Sequence, residues 1–349
     1  MSQITSGTDG GVRFLDRAES DSDSSLCTNV IFRGEQAYVS KNHFLRQSEA
    51  GLKRKLFKNT VRRVAVEIFS YCNRRCYFCP NKAGSRLGDQ KFLDKGIFFR
   101  ILNDLASIDF DGRFGFTQFN EPLSDRIILE RIAQARQRIP RATLFIPTNG
   151  DYLNRAFLRE LYDAGLRWMS ISVYGPNHGV FDDEYVRRRT QRISDELELE
   201  TAVVVDRPGE TYMVRGHYQE MKIDLLGRNF DIAGYDRGGL IKEYSVSNRT
   251  SPCFFPFLQM NVDWQGNVVP CCNVYADDPD HAKWVIGNLG DGRSIFDHYA
   301  DSSLVDWRRN LFGFFHDKEP CSSCSRREFP ELATDENVKK FEQFAQSIR

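Results

Sequence analysis

The chain has 349 residues, 41% of them hydrophobic, with 48 Lys plus Arg set against 48 Asp plus Glu. That length suffices for a large core or for two domains, and zero net charge removes the electrostatic reason to expect a nucleic acid or an anionic membrane as partner. No apolar stretch is long enough to span a bilayer, and residues 1–13 lack the apolar segment of a signal peptide. A cytoplasmic protein is therefore expected, in which nine cysteines act as metal ligands or catalytic thiols rather than as a disulfide framework.

Residues 1–27 are rich in Ser, Asp, Gly and Thr and read as a disordered tail, because few large apolar groups are present to offset the entropy of ordering. An N-terminal extension over 28–60 holds a strand over 29–33 and a basic stretch, 53–58, that reads as the solvated face of a helix. From residue 61 strands alternate with helices. An apolar strand over 64–69 leads to a helix over 97–105, whose Ile97, Phe98, Ile101, Leu102 and Leu105 fall on one face. Strands over 114–119, 143–148, 168–174 and 202–205 follow, with helices over 125–137, 154–164 and 187–199. Repeats of this length predict an α/β protein with a parallel sheet, and in such sheets the chemistry gathers at the C-terminal strand ends. The chain divides into a core over 61–250, a second cysteine module over 251–330 and a C-terminal helix over 331–349.

Cys72, Cys76 and Cys79 follow the first of those strands with the spacing C-x3-C-x2-C. A four-iron, four-sulfur cluster offers four corners, so three thiolates leave one iron open to another ligand. Structural zinc is the competing reading, since close cysteine pairs also bind zinc; zinc, however, favours four protein ligands, and no fourth Cys or His stands near the loop. Tyr77 and Phe78 suit a shield between a cluster and solvent. The motif resembles the signature of the radical SAM enzymes, in which S-adenosylmethionine chelates the open iron. The resemblance covers residues 61–330 and implies a partial (β/α)6 barrel of TIM type with the 4Fe-4S cluster at the top of the first strand. It also implies the chemistry. One electron, from a flavodoxin or ferredoxin, cleaves the sulfonium, and a 5'-deoxyadenosyl radical takes a hydrogen atom from the substrate.

In the family a loop after the second strand, usually Gly-Gly-Glu, meets the methionyl amino group. Here Asn120, Glu121 and Pro122 occupy that place, with Asn120 where glycine is usual, so Glu121 is carried over by position and not by a full motif. Side chains after the third and fourth strands commonly meet the ribose or the methionyl carboxylate. Thr148, Asn149, Ser170 and Ser172 hold those places, and alternation puts Ser170 and Ser172 on one face. Thr148, Asn149 and Gly150 read equally well as a plain turn. The run Asp236, Arg237, Gly238, Gly239 resembles a segment found ahead of the second cysteine group in many relatives. Arg237 there suits either a carboxylate clamp or a buried structural arginine.

Cys253, Cys271, Cys321 and Cys324 make a second set, with Cys271 behind a hairpin of 260–262 and 267–269. The arrangement resembles the auxiliary-cluster module called SPASM and its shortened form, twitch; with no cysteine after Cys324, the twitch form fits better. Four thiolates from separate stretches can also hold structural zinc, and spacing alone does not separate iron from zinc. An auxiliary 4Fe-4S cluster with all four corners taken has electron transfer left as its role, as in the twitch-containing dehydrogenase that oxidises an aminocyclitol alcohol in antibiotic assembly. Cys272 and Cys27 are left over. Cys272 is either a hydrogen-atom donor to a substrate radical or a small packing residue, and the six histidines, without ligand-like spacing, read as structural or exposed. The expectation is a radical SAM dehydrogenase acting on a small polar molecule such as an aminocyclitol, sugar or nucleoside. A redox-neutral decarboxylase, epimerase or lyase, a peptide maturase and a plain metal-binding module are the alternatives.

Overall fold

The computed structural model describes residues 39–82, 84, 86, 88, 90–175, 181–245, 249, 252–312 and 318–325, positions 343 and 346, and the backbone of three strands near the N-terminus. Those strands are β1 (Arg13–Leu15), β2 (Cys27–Phe32) and β3 (Glu35–Ser40), which pair antiparallel in that order. Most of the expected tail over 1–27, and the expected helix over 331–349 apart from two helical positions, lie outside the described residues.

Ten strands form one open sheet. In chain order they are β4 (Arg63–Val66), β5 (Arg113–Gly115), β6 (Thr143–Thr148), β7 (Trp168–Ser172), β8 (Thr201–Arg207), β9 (Thr211–Tyr218), β10 (Met221–Arg228), β11 (Gln259–Val262), β12 (Asn267–Val269) and β13 (Gly287–Asn288). Their spatial order is β13-β12-β11-β4-β5-β6-β7-β10-β9-β8. The run from β11 to β10 is parallel throughout, which gives the α/β sheet that the alternation predicts. Val64 and Val66 of β4 join the hydrophobic core shared with the covering helices, so by alternation Arg63 and Ala65 face the inner side of the sheet.

Of helices α1 (Ala50–Thr60), α2 (Lys95–Ser107), α3 (Ile127–Arg138), α4 (Arg155–Asp163) and α5 (Asp183–Glu196), three start at a capping side chain. Asp94, Asn154 and Asp182 each accept a backbone N–H of the first turn of α2, α4 and α5. The apolar face of α2 buries Ile97, Phe98, Ile101, Leu102 and Leu105, as the helical spacing predicts. Helix α5 is seated on β10 at Gly227, where a Cβ would stand 2.2 Å from Val186 Cγ1. The basic face of α1 is solvated except at Lys53, which bonds Asp297 at 2.7 Å.

Two expectations need correction. The strand expected over 114–119 stops at Gly115, because side chains take over the backbone groups beyond it. Glu67 Oε1 accepts the N–H of Phe119 at 2.8 Å and of Asn120 at 2.9 Å, and Thr117 Oγ1 donates to the Asn120 carbonyl. The strand expected over 202–205 exists as β8, but it pairs antiparallel with β9 and is largely exposed. Only three residues separate β8 from β9, with Gly209 at φ +76, and that is far too short for the crossover a parallel partner requires. β10 takes the place beside β7 instead, and the parallel neighbour on the other side of β4 is β11, drawn from the second cysteine module.

Candidate cofactor and substrate site

The first cysteine loop leaves the C-terminal end of β4 and is held by its own backbone. Cys79 N–H donates to the Cys76 carbonyl at 3.0 Å, Cys72 N–H to the Arg86 carbonyl at 3.3 Å, and Glu121 N–H to the Tyr71 carbonyl at 2.9 Å. The three thiols line one cavity of about 150 Å³ together with Gln118, Glu121, Thr148, Asn149, Ser172 and Arg237. Burial pushes the thiol of Cys72 up to about 11 and that of Cys76 up to about 12, and raises Cys79 as well. A positively charged group bound there would reverse that penalty. Among the described residues no three His, Cys, Asp or Glu side chains converge as a single ion requires. Three thiols around one cavity suit a cluster that brings its own sulfides. Gln118 Nε2 and Arg237 Nε, both on residues lining this cavity, are buried without a hydrogen-bond partner.

Glu121 is buried, and its acceptors are already used. Oε2 takes the Asn149 N–H at 2.7 Å, and Oε1 takes the Thr148 hydroxyl at 2.5 Å and the Leu123 N–H at 3.1 Å. The side chain thus staples the loop after β5 to the loop after β6, and burial raises its pKa. Asn149 makes the expected turn, with Gly150 at φ +75, and also lines the cavity, so its two readings are compatible. Asn149 Nδ2 donates to Asn73 Oδ1 at 2.8 Å, and Arg74 holds Asp151 through Nε at 2.6 Å and Nη2 at 2.5 Å, tying the cysteine loop to the end of β6. Ser172 lines the cavity; Ser170 lies on the same face of β7, two residues further in, and is not among the lining residues.

Arg237 bridges the two cysteine groups. It lines the cavity of the first and donates from Nη1 to Asn273 Oδ1, two residues beyond Cys271, at 3.0 Å. Asp236 beside it accepts from Ser323 Oγ at 3.1 Å and donates its own N–H to Ser325 Oγ at 3.2 Å, on either side of Cys324. In the second group burial raises the thiols of Cys271 and Cys321 well above the ordinary range, and both feel the charges of Cys253 and Cys324. The four thiols therefore lie within electrostatic reach of one another. Cys272 adjoins Cys271 and does not line the cavity of the first group. Among the described histidines His43, His281 and His298 are buried, His281 accepting the Tyr275 N–H at 3.1 Å, while His217 is exposed.

A larger cavity of about 480 Å³ opens beside the first and shares Arg74, Cys76, Phe78 and Tyr174 with it. Phe78 stacks on Phe230, with ring centroids 3.5 Å apart and planes 9° apart. Around them stand Arg75, Arg189 and Arg228, which the sequence reading did not single out. Arg189 belongs to the polar face of a helix and Arg228 to the end of a strand without a local signal, so no spacing pointed to either.

The model of the radical SAM superfamily matches residues 66–202, and that of the SPASM iron-sulfur cluster-binding domain matches residues 253–325. The chain is similar to the S-adenosyl-L-methionine-dependent 2-deoxy-scyllo-inosamine dehydrogenase of Niallia circulans, at 25% identity over 270 residues, or 75% of this chain and 92% of that protein. The crystal structure of BtrN in complex with AdoMet and 2-DOIA shares the fold at a TM-score of 0.57 and 24% identity, covering 76% of this chain and 93% of that one. BtrN in an open conformation gives 0.50 and 21%, over 76% and 92%. The chain thus carries a radical SAM domain joined to a SPASM-type iron-sulfur module, with 4Fe-4S clusters and S-adenosylmethionine as its cofactors.

Proposed function

We propose that the chain oxidises a carbinol of a small polyhydroxylated substrate, an aminocyclitol, sugar or nucleoside, to the ketone. The observation that carries the proposal is the pairing of an open three-thiol cavity with a separate four-thiol group, in a chain similar to a dehydrogenase that acts on an inosamine. Cys72, Cys76 and Cys79 hold the first cluster, and Cys253, Cys271, Cys321 and Cys324 hold the auxiliary one. When bound, S-adenosylmethionine and its cluster would supply the species that removes one hydrogen atom, and the auxiliary cluster would supply an acceptor for the electron left on the carbinol carbon once its hydroxyl proton has passed to water.

The chain's own residues bind and orient. Asn149 and Ser172 offer short polar groups to S-adenosylmethionine, while Glu121 and Thr148 act by fixing the two loops to each other. Gln118 Nε2 and Arg237 Nε, buried and unpartnered on residues that line the cavity, are donors available to the cofactor. Phe78, Phe230 and Tyr174 exclude water from the side of the first cluster. Among the described residues no helix is long and apolar enough to cross a membrane. We place the enzyme in the cytoplasm with a flavodoxin or ferredoxin as reductant.

Iron and sulfide are measured in the anaerobically reconstituted protein and in a variant with Cys72, Cys76 and Cys79 all changed to Ala. The variant should keep about half the parent's iron, as two separate four-iron clusters require. Loss of essentially all the iron would remove the auxiliary acceptor and with it the oxidation. A ketone product is expected; solvent deuterium retained at carbon would instead indicate the redox-neutral outcome.

A further inference from the structure

We infer that the substrate carries a phosphate ester, bound in the larger cavity beside the first cluster; this rests on the proposed oxidation and names its substrate class. Four arginines line that cavity, Arg74, Arg75, Arg189 and Arg228, against one carboxylate, Asp151. Arg74 neutralises Asp151 through a two-point contact at 2.5 and 2.6 Å, and Arg189 Nη2 stands 3.7 Å from the same carboxylate. Arg228 has contacts of its own, but Arg74, Arg75 and Arg189 alone already outnumber the cavity's one carboxylate. Arg189 Nε is buried and has no hydrogen-bond partner, a donor held in place without an acceptor.

S-adenosylmethionine does not answer that charge. Its one carboxylate would, by the family resemblance, be taken up by the open iron of the first cluster, and its adenosine is uncharged. A free amine of the inosamine kind would meet repulsion from the arginines. A phosphate dianion, by contrast, takes planar guanidinium forks in pairs of hydrogen bonds. The cavity abuts the cluster loop, since Cys76 lines both spaces, so a molecule anchored by its phosphate on Arg189 and Arg228 would lie with its hydroxylated ring toward the reacting centre.

The test uses the fully reconstituted enzyme with S-adenosylmethionine bound, and measures equilibrium binding of glucose 6-phosphate, glucuronate, glucose and glucosamine by calorimetry, in the parent and in R189Q and R228Q. The phosphate ester should bind at least ten-fold more tightly than glucose, with glucosamine weakest, and each variant should lose about ten-fold for the phosphate ester alone, at unchanged iron content. Equal affinities for the four probes, tightest binding of glucuronate, or variants that bind the phosphate ester like the parent would overturn the inference. So would variants that are impaired only in reduction by flavodoxin, because the basic rim would then serve a protein partner. Formation of 5'-deoxyadenosine after chemical reduction without substrate is followed in parallel. Its absence would defeat the proposed oxidation, whereas its presence with no preference for phosphate would defeat only the inference drawn here.

Discussion

Glu67 is fully buried, and its Oε1 meets the N–H groups of Phe119 and Asn120 and the Arg86 guanidinium at 2.5 Å. Arg86, itself buried, reaches Asp277 of the second cysteine module through Nε at 2.8 Å. A carboxylate with two backbone donors and a cation is stable in the interior, but removing one partner strands the other. The change Glu67→Gln keeps the volume and removes the charge. It should lower unfolding stability by roughly 3 kcal/mol, the usual consequence of breaking a buried pair, and loosen the 118–121 loop that lines the cofactor cavity. Urea unfolding of parent and variant checks this, and a difference under about 1 kcal/mol would show that the pair is offset by its desolvation.

At the scale of elements, the seam between the N-terminal extension and the C-terminal helices turns on His43. It is wholly buried, next to Phe257 and Tyr299. Nδ1 accepts the Ser40 N–H at 3.0 Å, so Nε2 carries the proton and donates to Thr60 Oγ1 at 2.9 Å, joining β3 to the end of α1. Burial, followed by the nearby charge of Arg308, holds its pKa down to about 3. The folded value lies below the unfolded one of about 6.5, so below that pH the unfolded chain takes up a proton that the folded chain refuses. Stability then falls as pH drops toward 3, by about 1.4 kcal/mol per unit, and is unaffected by this group above 6.5. Between pH 6.5 and 5 the parent should lose about 2 kcal/mol more than a His43→Gln variant. Parallel stability curves for the two proteins would mean that the imidazole titrates normally.

For the molecule as a whole, the second cysteine module is part of the core sheet. β11 pairs with β4 along its length, and hydrogen bonds from Arg62 N–H to the Leu258 carbonyl at 2.9 Å and from Glu67 N–H to the Val262 carbonyl at 2.8 Å continue the ladder at both ends. The strand that carries the first cysteine loop would become an edge strand without it. A chain cut after residue 252 should therefore be insoluble or bind hydrophobic dyes, with β4 amides that exchange rapidly. A soluble truncated protein that unfolds cooperatively and still cleaves S-adenosylmethionine would show that the core stands alone.

Features that depend on neighbours along the chain could be read from residue order alone. Cysteine spacing is covalent, and helical or alternating apolar periods are local, so the first cluster loop, the face of α2, the strand β6 and the hairpin of β11 and β12 were all legible. The early end of β5 was not legible, because the carboxylate of Glu67, just past the end of β4, takes the backbone donors that a longer strand would have used. The turn after β8 was present in the sequence as Pro208 and Gly209, yet its consequence, an antiparallel meander that hands the place beside β7 to β10, depends on which strands pair. Only the tertiary structure brought Arg74, Arg189 and Arg228 around one cavity and Arg237 between the two cysteine groups. Those residues lie on different elements far apart in the chain, and the charge of a cavity follows from how the elements pack, which no local spacing encodes.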